Sequence, residues 1–169
     1  MSIQNGENTV HCWGSPHSYG WFGTLPTATL VDTTKYGVPS SETVVDVCAN
    51  QQIFLTASGK ILHDGRAKEY TDFTHMECDY DIVLGIRQDG SVWGQSSLSE
   101  YEGGNAFVGR SMSRMKLPEG SKALFLTSSG HQSCAYLSSG EVWCSGRNVE
   151  GKNASVHEFA VKIRRYALF

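Results

Sequence analysis

The side chains best suited to chemistry are five cysteines, six histidines and a short run of alternating carboxylates. Two histidine–cysteine pairs share one spacing, His75-x-x-Cys78 and His131-x-x-Cys134. Together they could supply four nitrogen and sulfur ligands to a tetrahedral zinc ion. Their placement argues against that use. Cys78 lies twelve residues before Gly90, whereas Cys134 lies six before Gly140. A structure that repeats around those glycines does not bring the pairs together. A cysteine nucleophile needs a nearby base and a site that favours the thiolate. His11 and Cys12 are neighbours in sequence, but adjacent side chains on a strand face opposite sides. Glu77, Asp79 and Asp81 alternate around Tyr80 and read as a solvated strand edge rather than a hydrolytic pair.

No nucleophile elbow, zinc-protease helix, phosphate-binding loop or dinucleotide loop occurs. The stretch Gly103-Gly104-Asn105-Ala106-Phe107-Val108-Gly109 lacks the lysine and the preceding strand of a phosphate loop. An odd number of cysteines spread along the chain is poor evidence for a disulfide framework, so reduced, buried thiols are expected. The single sequon, Asn153-Ala154-Ser155, is read as chance. The chemistry therefore predicts no enzyme, no metal and no cofactor.

The elements that carry these residues follow from composition. The chain has 169 residues, 40% hydrophobic, 11% aromatic and only 18% charged, with a net charge of −3. That composition buries a core and is not that of a disordered segment. With 14 Lys+Arg against 17 Asp+Glu, a strongly basic nucleic-acid binder is excluded as a class. Two modest basic groups exist, Arg110, Arg114 and Lys116, then Lys162, Arg164 and Arg165. They lack interleaved aromatics or alternate with apolar residues, so nucleic acid is not the expected partner. No apolar run is long enough to cross a membrane as a helix. The first ten residues have no basic and apolar leader, which predicts an intracellular, cytoplasmic protein, with a virion or organelle complex as the other setting.

Eighteen glycines are the compositional excess, and they recur in a pattern. Three segments read as an apolar run, a Ser-Gly or Asp-Gly turn, and a second apolar run. Their turns are Ser58-Gly59, Asp89-Gly90 and Ser139-Gly140. In two of them the second run carries a tryptophan, Trp93 and Trp143. Each segment predicts a β-hairpin, with Asp89-Gly90 expected as a two-residue type I′ turn. Asn5-Gly6 and Thr9–Gly14 read as a fourth, divergent copy whose first strand is missing. The repeat-like units are 5–23, 44–66, 74–95 and 124–152. Residues 24–43 and 96–122 read as long loops, and 156–169 as a strand or tail.

The run from Gly130 to Asn148, followed by Glu150-Gly151, resembles one repeat of the regulator of chromosome condensation family. That repeat runs Gly, His, a short strand, Asp-Gly, a strand with an aromatic, then Trp-Gly-x-Asn-x-x-Gly-Gln. Here Cys144-Ser145-Gly146 replaces the usual Trp-Gly ending, and Lys152 stands where Gln is usual. Val10–Gly14 with Tyr19, Gly20 and Gly23, the shortened Val92-Trp93-Gly94-Gln95, and the degenerate Ile61–Arg66 are similar to the same pattern. The resemblance implies a β-propeller. At about three to four degenerate blades of antiparallel hairpins, the expectation is an all-β, small or incomplete propeller forming one repeat-built domain over 1–169. Either the C-terminal strand completes the N-terminal half unit, or an open sheet edge is covered by a protein partner or by self-association.

Trp21 and Phe22, in the loop region that begins near residue 15 and runs into the first long loop, and Tyr101 and Phe107 in the second, are the candidate binding residues. Large aromatics on loops above a rigid scaffold are typical interface anchors. The function read from the sequence is a non-enzymatic protein-binding or structural module that docks in a larger assembly through a propeller face and these loops. The alternatives are a minor structural subunit of a virion or organelle complex, and a metal-binding or Cys/His-dependent enzyme using His131 and Cys134.

Overall fold

A computed structural model describes residues 2–4, 9–14, 25–48, 52–63, 66–79, 82–96, 109–129, 132–147 and 156–163. The chain divides into two compact units, Met1–Thr74 and His75–Phe169. All regular structure among the described residues is β, apart from one 3₁₀ turn at Thr33–Tyr36.

The first unit holds two sheets. In the first sheet β1 (Ser2–Gln4), β2 (Thr9–Gly14) and β3 (Leu25–Val31) lie side by side in chain order. In the second sheet β4 (Val44–Cys48), β5 (Ile53–Thr56), β6 (Ile61–His63) and β7 (Arg66–Tyr70) do the same. The third sheet is β8 (Phe73–Asp79), β9 (Ile82–Arg87), β10 (Val92–Ser96) and β11 (Gly109–Arg114), its first strand beginning at the end of the first unit. The fourth is β12 (Ala123–Ser129), β13 (Gln132–Leu137), β14 (Val142–Arg147) and β15 (Val156–Ile163). The strands pair antiparallel, for instance with Ile86 opposite Val92 and Tyr136 opposite Val142. The chain is thus all-β, built of four small antiparallel meanders of the kind that form the blades of an incomplete propeller.

The three predicted hairpins are the middle two strands of the four-stranded sheets. The outer strands lie in spans that carried weaker sequence signals. Residues 24–43 contain β3 and the 3₁₀ turn, and residues 96–122 contain β11, so neither span is loop throughout. The C-terminal strand exists, but it pairs with β14 in the fourth sheet and does not complete the N-terminal half unit. The Asn5-Gly6 turn and Gly65 lie outside the described residues.

The three hairpin turns are alike in detail and differ from the predicted type. In each, the last residue of the first strand bonds across the turn. The Arg87 N–H donates to Ser91 O at 2.9 Å, and the Gly90 N–H returns to Arg87 O at 2.8 Å. Thr56 with Lys60 and Gly59, and Leu137 with Glu141 and Gly140, repeat both bonds. Gly59, Gly90 and Gly140 have φ of 81°, 83° and 82°, while Ser58, Asp89 and Ser139 keep negative φ. These are three-residue loops, a tight turn closed by a left-handed glycine, and not type I′ turns, which need two positive φ values. A further likeness is a bulge in the first strand of two sheets, at Val44/Asp46 and at Ala123/Phe125.

Asp89 organises its turn. Its Oδ1 accepts the Ser91 N–H at 2.8 Å and the Ser91 hydroxyl at 2.6 Å, and Ser91 Oγ accepts the Trp93 indole N–H at 2.9 Å. The Ser91 bonds, aided by the Arg114 and Arg87 charges, hold the Asp89 carboxyl below the usual carboxylate range. A depressed folded pKa gives stability that is present above the unfolded value of about 3.9 and lost as pH falls through the folded one. We expect the urea midpoint of the protein to fall as pH drops below about 4, and D89N to lose less over the same range. Parallel urea titrations at several acidic pH values check this, and coincident losses would refute it.

Candidate interaction surfaces

Within each unit one sheet packs on the next through the same face. Counting from the residue that closes each turn (Thr56, Arg87, Leu137) puts the three hairpins in register. In the third sheet Leu84, Ile86 and Val92 lie on one face and are buried. They pack against Leu126, Ala135 and Leu137 of the fourth sheet, with Met115 and the half-buried Trp143 completing the cluster. In the first sheet Val10 and Cys12 are buried on one face. They pack against Val44 and Phe54 of the second sheet, with Val38 from the connecting segment. At 25 cal/mol or so per Å² of apolar area, such faces are what hold neighbouring meanders together.

The turns also clasp the strand that follows. Gly59 O accepts the Phe73 N–H at 2.9 Å, and Gly90 O accepts the Ala123 N–H at 2.9 Å. Phe73 and Ala123 are each the first residue of the next sheet. Both glycines are buried under that contact. Gly140 has the same φ but is exposed, and a Cβ built on it meets nothing within 4 Å.

The face of the fourth sheet that matches Leu84, Ile86 and Val92 carries Cys134, Tyr136 and Val142. Tyr136 is 42% exposed, and Phe125, its direct cross-strand partner, is 61% exposed. Phe125 takes the place that Asp46 holds opposite Leu55 in the second sheet. The first sheet exposes apolar side chains on the face opposite its packed one. There His11 pairs with Leu30, which is 59% exposed, and Trp13 is 51% exposed. These two aromatic faces are the strongest interaction surfaces among the described residues. No local sequence pattern marked these faces, since Asp46 and Phe125 align only once the first strands are placed.

Trp21, Phe22, Tyr101 and Phe107 lie outside the described residues, as do His131, Asp81 and the sequon. Cys134 and Cys144 are directly opposed across β13 and β14 and form a disulfide, with Sγ atoms 2.04 Å apart. Cys48 and Cys78 are disulfide-bonded as well. The expectation of reduced thiols is therefore wrong for four of the five cysteines. The odd count misled because one cysteine stands apart. That one, Cys12, is free and buried, and burial pushes its thiol pKa up, which disfavours a nucleophilic thiolate. His11 faces the opposite side of β2, as the alternation requires. No group of three or more His, Cys, Asp or Glu side chains suited to a metal occurs among the described residues. Glu77 and Asp79 are half-buried on β8, which lies at the end of its sheet. Arg114 and Lys116 are exposed on either side of the buried Met115 and rim a shallow groove of about 440 Å³ shared with Glu119.

No family model matches the chain, and no curated protein matches it significantly. Among solved structures, human WBSCR16 aligns with a TM-score of 0.56 at 16% identity, over 74% of this chain and 39% of that one. Prp20p from Saccharomyces cerevisiae aligns over 94% of this chain and 35% of its own, at 16% identity and a TM-score of 0.42. The chain spans about two fifths of the length of the human protein. The first of these likenesses is one of fold, and it agrees with the four blade-like meanders: the chain has the architecture of an incomplete β-propeller.

Proposed function

We propose that this chain is a non-enzymatic protein-binding module, a short and divergent member of the regulator of chromosome condensation repeat family, that docks in a larger assembly. The observation that carries the reading is the uncovered face of the fourth sheet. The equivalent of Tyr136 in the third sheet, Ile86, is buried, yet here Tyr136 and its cross-strand neighbour Phe125 stand in solvent. Apolar aromatic surface of this kind marks an interaction site on a soluble domain. The family reading is supported by the 130–151 segment and by three turns that share one hydrogen-bond pattern. The non-enzymatic reading is supported by the disulfides, which withdraw Cys48, Cys78, Cys134 and Cys144 from metal or nucleophile chemistry.

The test is the native size of the chain in gentle extracts of its own source, by size exclusion with detection of the chain. We expect elution well above the mass of one 18.5 kDa chain. Elution of the whole pool as a single chain would overturn the reading.

A further inference from the structure

We propose that the open face of the fourth sheet binds the open face of the first sheet of a second copy of this chain, head to tail. This rests on the docking reading above and names its partner. Within each unit one sheet is covered by the next. In the second unit the face of the third sheet that bears Ile86, the residue just before the turn-closing position, is covered by the Ala135 and Leu137 face of the fourth, and in the first unit the Val10 and Cys12 face of the first sheet is covered by the matching Phe54 face of the second. Ile86 is covered in this way by the fourth sheet. Tyr136 is its equivalent and is left without a cover among the described residues.

The chain also displays the complementary surface. The outer face of the first sheet, with His11, Trp13 and Leu30, is the kind of face that the second and fourth sheets use to cover their predecessors. One chain thus exposes both halves of an interface that it already makes internally. Neither half carries an Asp, Glu, Lys or Arg at the residues named, so closure strands no permanent charge. Among the described residues the first sheet has no counterpart of β12, the first strand of the fourth sheet. On β12 Phe125 stands where the second sheet has the smaller Asp46.

Head-to-tail contacts either close or run on as filaments. In a reciprocal pair each copy covers the open face of the other, so neither open face is left exposed.

The experiment is light scattering and sedimentation equilibrium on the purified full chain at micromolar concentration. We expect a species of twice the 18.5 kDa chain mass. Two double variants are then compared, F125E/Y136E on the fourth sheet and W13E/L30E on the first. Each alone should sediment as a monomer, its dimer dissociation constant raised at least ~30-fold, as expected for loss of central aromatic anchors. Mixed one to one, they should recover a dimer, because one intact contact remains in the mixture. Circular dichroism of each variant checks that the sheets persist. The wild-type mass needs no variant, and a monomer throughout overturns the proposal. So does a dimer that survives in W13E/L30E but not in F125E/Y136E, which would mean like faces pair. A purified monomer whose native form is nonetheless large would sink the self-pairing and leave the docking reading standing.

Discussion

Replacing Gly90 with alanine should cost far more stability than the same change at Gly140, although the two glycines have the same backbone conformation. Their φ angles are 83° and 82°. A side chain in this left-handed region costs roughly 1–2 kcal/mol at either site. The difference lies in what a Cβ would meet. At Gly90 it would fall 2.7 Å from the Lys122 Cβ and 3.0 Å from the Lys122 Cα. The Cα is backbone at the start of the fourth sheet, tied down by the bond from Ala123 N–H to Gly90 O. Relief requires that the turn and the next sheet move apart, which works against the cluster of Ile86, Val92 and Ala123. Overpacking of that kind adds about 1–3 kcal/mol. At Gly140 the Cβ meets nothing within 4 Å. We therefore expect G140A to lose about 1–2 kcal/mol and G90A about 2–5 kcal/mol. Urea unfolding with unchanged slope measures both, and equal losses would show that the clasp between turn and next strand contributes nothing.

This pair of glycines also shows how far the sequence could be read. Ser58-Gly59, Asp89-Gly90 and Ser139-Gly140 announced the hairpins, because a turn glycine between β-prone runs leaves few other conformations. The turn type was misjudged because the two-residue reading counted only the Asp-Gly and Ser-Gly pairs. The third loop residues, Ala57, Gln88 and Ser138, carry no turn signal of their own. Outer strands were harder. β11 is Gly-Arg-Ser-Met-Ser-Arg and β7 is Arg-Ala-Lys-Glu-Tyr, neither with an apolar alternation. Such strands exist because β10 and β6 offer them free backbone groups, which is a tertiary cause. The opposed cysteines were legible in principle. Cys134 and Cys144 flank their turn at equal distance once Leu137 pairs with Glu141, but the odd count drew attention away from register. The exposed faces were less legible still. Whether Tyr136 is covered depends on which sheet follows it, and no local pattern encodes that.

Phe54→Ala should be the most destabilising single change in the first unit. Phe54 is fully buried on β5 and packs among Val10, Cys12, Val38 and Val44, with Tyr36 6.2 Å away between ring centroids. Its equivalents in the other two hairpins are Gly85 and Ala135, so the fold does not demand a large residue at this position. The local neighbourhood does. Ala135 packs against a third sheet of four strands, where Leu84, Ile86 and Val92 fill the space. Phe54 packs against a first sheet with only β1, β2 and β3 described, which offers Val10 and Cys12 at the contact. Phenyl, Val38 and the 3₁₀ turn together occupy the volume that strand side chains fill elsewhere. Truncation leaves a cavity that strands on both sides hold open, at a cost of about 3–5 kcal/mol. The converse change, Ala135→Phe, should be as harmful by overpacking, since its site is already full. Denaturant melts of both variants settle the point. If F54A lost less than about 1 kcal/mol, the first sheet would have to collapse onto β5 freely, and the packing rule between successive sheets would fail at its first instance.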